Sequence, residues 1–219
     1  TVPVNDFLIH PRDNDLILAT HGRGIWILDD ISAIQGLTPA VLASSAHLFP
    51  IRPARTIRYA NLKAHQGDMV FRGENPPAGA IIDYYLRGAV SAPALTVHDA
   101  SGRLVRRLTA SSAGGINRAV WDLRHEPFAS GMQGQSGQRG RALDGPFVAP
   151  GEYTVRLVSG GTTVEQRVRV DDDPRITVAP SVRASWTATL MELGRLYVSV
   201  DGLLGRMREA AGAVIKSPA

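Results

Sequence analysis

The sequence predicts a mainly β chain that ends in an α-helical tail, and three features carry that expectation. Short apolar runs separated by turns rich in Gly, Pro, Asp and Ser recur from Phe7 to Val170. Several of these runs, such as Tyr153-Thr154-Val155-Arg156-Leu157, alternate apolar and polar residues with a period of two. Beyond Pro174 apolar residues recur instead every three or four positions, which is the period of a helix. The expected units are residues 1–50, 51–173 and 174–219.

The first unit reads as short strands joined by tight turns. Phe7-Leu8-Ile9 ends at His10-Pro11, residues 11–15 are a turn by composition, and Leu16 to Thr20 is a second strand. Gly22-Arg23-Gly24 then turns the chain into a third strand, Ile25 to Leu28. Leu16-Ile17-Leu18-Ala19 and Ile25-Trp26-Ile27-Leu28 are continuous apolar runs. Continuous runs imply burial on both faces of a sheet, and a β-propeller blade provides that. The segment therefore reads as the end of a propeller that these residues cannot complete alone. Residues 31–50 connect it to the next unit, with Thr38 as an N-cap and Pro39 at the first position of a short helix.

Between about 53 and 171 the pattern is all-β. Strands are expected at residues 57–60, 69–72, 80–86, 94–98, 104–109, 118–123, 153–158 and 162–170, with hairpin turns at 99–102 and 159–161. Seven or eight short strands at this spacing indicate an immunoglobulin-like or fibronectin-like β-sandwich, with Trp121 in its core. Residues 130–145, rich in Gly, Gln, Ser and Arg, read as a loop between two of its strands. In the tail, Trp186, Leu190, Leu193, Tyr197, Val200, Leu204, Met207 and Ala211 form one stripe opened by Pro180 or Ser181. Gly194, Gly202 and Gly205 each cost about 1 kcal/mol relative to alanine, which favours a break near 201–205. The stripe asks for cover over 182–200, from the sandwich, from a second chain in a homodimer, or from further helix beyond Ala219. It mixes small and large residues and lacks clear flanking charge pairs.

Composition limits function. Of the 219 residues 44% are hydrophobic, enough for a packed core, and no apolar run is long enough to span a membrane. The absence of cysteine excludes disulfides and thiolate metal sites. Net charge is +4, and Lys63 and Lys216 are the only lysines. The arginines are spread over many segments with few aromatics beside them, which speaks against nucleic-acid binding. The chain opens on Thr1-Val2-Pro3 without methionine and reads as a piece of something longer.

The stretch HPRDNDLILATHGRGIWILDD (10–30) resembles the closing blade of bacterial Asp-box (BNR-repeat, sortilin-like) β-propeller proteins, often labelled glycosyl hydrolases. FRGENPPAGAIIDYYL (71–86), NRAVWDLRHEP (117–127) and PGEYTVRL (150–157) resemble the module that follows that propeller. The last two are also similar to the immunoglobulin-like domain of bacterial flagellar hook-capping proteins. The resemblance runs from Val4 to about Arg175. It implies an exported protein (periplasmic, cell-surface or secreted), an upstream propeller as partner, and a carbohydrate or protein ligand. An Asp box reads Ser-x-Asp-x-Gly-x-Thr-Trp; here Asp30 stands at the aspartate, Leu28 in place of the serine and Ser32 in place of the glycine. In that family the aspartate stabilises a turn by accepting from local amides.

The chemical candidates are few. Gly22-Arg23-Gly24 lacks the third glycine and following helix of a dinucleotide site and the Gly-Lys of a P-loop. A hairpin accounts for both glycines. In a blade this turn lies on the ligand-facing side, so His21 and Arg23 are candidate ligand contacts, as proton donor and as charged hydrogen-bond donor. Asp29 and Asp30 are strand neighbours that point to opposite faces, a poor pair for glycoside hydrolysis. Residues 171–173, three aspartates, lack the spaced donors of a calcium loop and read as a solvated linker. Tyr84 or Tyr85 is a candidate sugar platform if exposed, although alternation places at least one in the core. His10, His47, His65, His98 and His125 show no metal-ligand spacing. No catalytic residue, metal or cofactor is expected. The reading is a non-catalytic accessory region for scaffolding or for ligand or protein contact. The alternative is part of a sialidase-like glycoside hydrolase whose catalytic residues lie mainly upstream.

Overall fold

In the computed structural model, which describes residues 2–57, 75–128 and 145–215, the chain is mainly β with a long C-terminal helix. The expected strands at 57–60 and 69–72 and the loop at 130–145 fall wholly or largely outside the described residues. Strands β1 (Val4–Ile9), β2 (Leu16–Thr20) and β3 (Ile25–Leu28) form an antiparallel meander in that order. Gly22 and Gly24 take φ of 76° and 73°, as the β2–β3 turn requires. The register stacks Phe7, Leu18 and Trp26 in one row and Leu8, Ile17 and Ile27 in the next. Successive rows face opposite sides, so both faces of the sheet are apolar. Contrary to the burial expected of these runs, no described residue covers either face. Phe7 is 67%, Ile25 71% and Trp26 61% exposed.

Two short helices, α1 (Ser32–Gln35) and α2 (Pro39–Ala43), follow. The Thr38 hydroxyl accepts from the Val41 amide at 3.3 Å, and Pro39 occupies the first turn. The connector then contributes a strand that the sequence did not announce, β4 (Ala46–Leu48). It is followed by β5 (Ala54–Arg55), β6 (Ala80–Leu86), β7 (Ala94–His98), β8 (Leu104–Leu108), β9 (Gly115–Trp121), β10 (Gly151–Ser159) and β11 (Thr162–Asp171). These make a five-stranded sheet, β5-β11-β10-β7-β8, and a three-stranded sheet, β4-β6-β9. Pairing is antiparallel except where β5 lies parallel to β11.

Alternation explains how the two sheets share one core. Val155 and Leu157 on β10, Leu95 and Val97 on β7, and Ile82, Tyr84 and Leu86 on β6 are fully buried together with Trp121. Trp121 donates its indole N–H to the Arg124 carbonyl at 3.0 Å and meets Tyr153 edge-on at 5.2 Å. Burial pushes the Tyr153 phenol up to about 12. Tyr84 and Tyr85 are both buried, so neither is a sugar platform. Tyr84 enters the core, whereas Tyr85, on the other face of β6, is covered by Phe49 and by Ala33 and Val41 of the two short helices. The hairpin at 160–161 has φ of 54° and 81° at its two glycines. At the other hairpin the Asp99 carboxylate accepts from the Ser101 amide and hydroxyl and from the Arg103 amide.

Helix α3 runs without a break from Pro180 to Ile215, through both Gly202 and Gly205. It is tied to the sheets by Arg183, 2.8 Å from Asp172, and by Gly194, buried against Phe128. A Cβ at Gly194 would lie 2.2 Å from the Phe128 ring, so this glycine is a notch for the ring. The contact side is Arg183, Thr187, Met191, Gly194 and Tyr197. The expected cover over 182–200 is therefore partial within the described residues. Trp186, Leu193 and Leu196 remain 60% exposed or more.

Two measurements check this account. Trp121→Ala should lower unfolding free energy by about 3–5 kcal/mol, read as a fall in the urea midpoint; an unchanged midpoint would place the indole outside the core. Hydrogen bonds from Ser101 and Arg103 hold the Asp99 carboxyl down at about 2. A depressed folded pKa adds stability above the unfolded value that fades as pH falls through the folded one. Asp99→Asn should therefore cost stability at pH 7, and its deficit should shrink between about pH 4 and pH 2.

Candidate functional site

The candidate ligand turn lies at the far end of the meander. The His21 amide donates to the Pro3 carbonyl at 3.0 Å, and the Arg23 carbonyl accepts from the Trp26 indole at 3.2 Å. Both side chains are exposed, and neither has a hydrogen-bond or ion-pair partner among the described residues. They are available for an anion or a sugar hydroxyl, but no other described residue converges on them. Asp29 and Asp30 close β3 at the opposite end, about 15 Å away along a strand of this length.

That near end is where the meander joins the two sheets, through a network of hydrogen bonds. Asp83 on β6 and Arg118 on β9 are cross-strand partners on the outer face of the three-stranded sheet. The Arg118 guanidinium donates to the Asp83 carboxylate at 2.7 and 2.8 Å, to the Asp29 carbonyl at 2.6 Å and to the Asp30 carbonyl at 2.7 Å. Its pKa is raised, first by the hydrogen bond to Asp83. Arg52 grips the β1–β2 turn in a similar way, donating to the Arg12 carbonyl at 2.8 Å and to the Asp13 carbonyl.

Asp30 adopts φ of 45°, and its carboxylate accepts from the Ser32 amide at 3.1 Å and the Ser32 hydroxyl at 2.5 Å. Its own amide donates to the Asp15 carboxylate at 3.0 Å. Asp30 thus fastens the turn out of β3. The Asp29 carboxyl accepts no hydrogen bond among the described residues. Burial and then the Asp15 charge push its pKa up, against an opposing pull from Arg118.

A cleft of about 310 Å³ opens here between Asp13, Asp15, Asp29, Asp30, Arg12 and Arg52. Its carboxylates are committed, Asp13 to Arg12 and Arg52, Asp15 to the Asp30 amide, and Asp30 to Ser32. Asp29 alone is available to move a proton, and hydrolysis of a glycoside needs two such groups across one bond. No group of three or more metal-ligating side chains among the described residues could hold an ion. The bonds seen here fasten turns and strand ends.

A second cleft, of about 470 Å³, separates α3 from the end of the two-sheet unit. Trp186, Leu190 and Phe147 give it apolar walls, and Arg124 stacks 3.8 Å over the Phe147 ring. On its polar side the aspartates of 171–173 do not form the solvated linker expected of them. Asp171 pairs with Arg169, Asp172 with Arg183, and Asp173, almost fully buried, with Arg175. The bonds from Arg175 hold the Asp173 carboxyl down at about 2.

Arg118, Asp83 and Arg52 escaped the sequence reading. One signal was present: Asp83 is a lone charge inside Ile81-Ile82-Asp83-Tyr84-Tyr85, and a charge in an apolar strand requires a partner. Arg118→Met should cost about 3 kcal/mol because it strands the buried Asp83 carboxylate. Adding Asp83→Leu should recover part of that loss. A double variant less stable than Arg118→Met, measured by urea unfolding, would show that the pair is not what holds this face.

Neither a family model, nor a curated protein, nor a solved structure matches the chain.

Proposed function

We propose that this chain is the non-catalytic C-terminal part of an exported bacterial Asp-box β-propeller protein. In this reading the meander is the last portion of a propeller and the two-sheet unit is an immunoglobulin-like accessory module that scaffolds it. One observation carries the proposal: a three-stranded sheet whose two faces are both apolar and both open. A sheet buried on one side alone would show polar residues on the other. A sheet designed to lie between two others shows what is seen here, with Phe7 and Trp26 on one face and Leu8 and Ile27 on the other.

The remaining features fit that arrangement. The His21–Arg23 turn is at the end of the meander remote from the accessory unit, where a propeller presents its ligand face, so these two side chains are the proposed contacts for a carbohydrate or protein ligand. Asp30 plays the turn-stabilising part of an Asp-box aspartate through the Ser32 amide. The order β4-β6-β9 against β5-β11-β10-β7-β8, around a buried tryptophan, supports the immunoglobulin-like reading.

Hydrogen exchange tests the proposal. In this chain alone the amides of β1–β3 should exchange with little protection while those of β6, β7 and β10 stay closed. In the longer polypeptide isolated from its source, the meander amides should slow by at least about a hundredfold. Meander protection equal to that of the two-sheet core in the chain alone would overturn the reading.

A further inference from the structure

Helix α3 carries a second, narrower pattern inside its apolar stripe. Trp186, Leu193, Val200 and Met207 recur every seven residues, and Thr189, Leu196, Leu203 and Ala210 recur every seven beside them. The two columns interleave in alternating steps of three and four, the a/d repeat of a left-handed coiled coil. The neighbouring side of the helix, Thr187, Met191, Gly194 and Tyr197, is the less exposed one, and the seam is open along its length apart from Trp186, which also walls the cleft towards the two-sheet unit. Trp186 and Met207 are 63% and 66% exposed and Leu196 is 60% exposed. The helix has 36 residues, about 54 Å of length.

We propose that two copies of this chain associate through α3 as an antiparallel two-stranded coiled coil whose two-fold axis passes at the level of Val198. The direction and register follow from the residues that flank the seam. On one flank the successive heptads supply Ser185, Glu192, Ser199 and Arg206; on the other they supply Leu190, Tyr197, Leu204 and Ala211. Glu192 and Arg206 have no hydrogen-bond or ion-pair partner among the described residues, and they are equally spaced about Ser199. In an antiparallel pair the like flanks meet, so Glu192 of each copy reaches Arg206 of the other and two ion pairs form. In a parallel pair they remain about 21 Å apart along the axis. Sliding the antiparallel register by one heptad either way breaks both pairs, setting Arg206 against Ser185 or Ser199 and Glu192 against Ser199 or Ala213.

The same register matches volumes. It faces Trp186 with Ala210, Thr189 with Met207, Leu193 with Leu203 and Leu196 with Val200. The largest side chain thus meets the smallest, and every layer holds a comparable bulk. The seam is complementary to its own reversed copy in both charge and size, and this identifies the occupant as a second copy of this chain.

The test uses the full chain and its association constant by sedimentation equilibrium. A dimer is expected at micromolar concentration. Glu192→Arg alone and Arg206→Glu alone should each weaken it on the order of tenfold, since each converts two attractions into two repulsions. The double exchange Glu192→Arg/Arg206→Glu should restore the original affinity. A chain that stays monomeric through the micromolar range overturns the proposal. So does a dimer indifferent to the single exchanges, because its contact would then be parallel or lie on the open faces of the meander.

Discussion

The architecture turns on one guanidinium. Arg118 lies across the outer face of β6 and β9, where a strand would ordinarily meet solvent, and it joins the meander to the two-sheet unit. Strand β3 ends at a residue with positive φ, and the chain then leaves the sheet plane, so the carbonyls of Asp29 and Asp30 have no ladder partner. Arg118 supplies donors to both while its other edge is held by Asp83. A lysine could not replace it, because an ammonium is a point donor that cannot bond a carboxylate in the bidentate manner and still reach two carbonyls. Arg52 repeats the device on the neighbouring β1–β2 turn. Together they fix the near end of the meander and leave the far end, with His21 and Arg23, projecting.

Around that joint, apolar surface is distributed very unevenly. The two-sheet unit closes on itself, with Trp121, Ile82, Leu86 and Leu157 fully buried and no buried side-chain polar atom lacking a partner among the described residues. The meander and α3 do not close. Burial of apolar area contributes roughly 25 cal/mol per Å², and the rows through Trp26 and Ile27 forgo most of it in this chain. A small sheet needs a hydrophobic face or a packed helix for independent stability; here no described residue covers either face. Among the described residues, the exposed apolar surface thus lies mainly at the two ends of the sequence.

This division also decides what the sequence disclosed. Strands with a clear period of two, such as β10, and hairpins with glycine pairs, such as Gly160-Gly161, were readable because local chemistry determines them. Strand β4 was not, because Ala-His-Leu has no pattern of its own and becomes a strand only by pairing with β6. Tyr85 illustrates the same limit: alternation places it outside the core, and only the fold of the connector shows that Phe49 covers it. The aspartates at 171–173 read as solvent-facing until their arginines, Arg169, Arg175 and Arg183, are brought alongside. Of the candidate site, the hairpin geometry around His21 and Arg23 was legible, whereas the Arg118–Asp83 joint depends on a register between strands more than thirty residues apart.

The helix makes the most instructive contrast, since its glycines do different things. Gly194 has a reason within the chain: the Phe128 ring occupies the place of its side chain, and the lost helical propensity is offset by that contact. Gly202 and Gly205 have open space around the position of a Cβ, so no contact among the described residues requires them. Each should weaken the helix by about 1 kcal/mol, in a stretch whose apolar residues Val200, Leu203 and Met207 are exposed. A sequence reading therefore places a break there, and the helix nevertheless continues. Intrahelical hydrogen bonds alone rarely sustain a solvated segment with two glycines in four residues. Cover over the seam through Val200, Leu203 and Met207, as proposed above, would add the stabilisation that intrinsic propensity withholds.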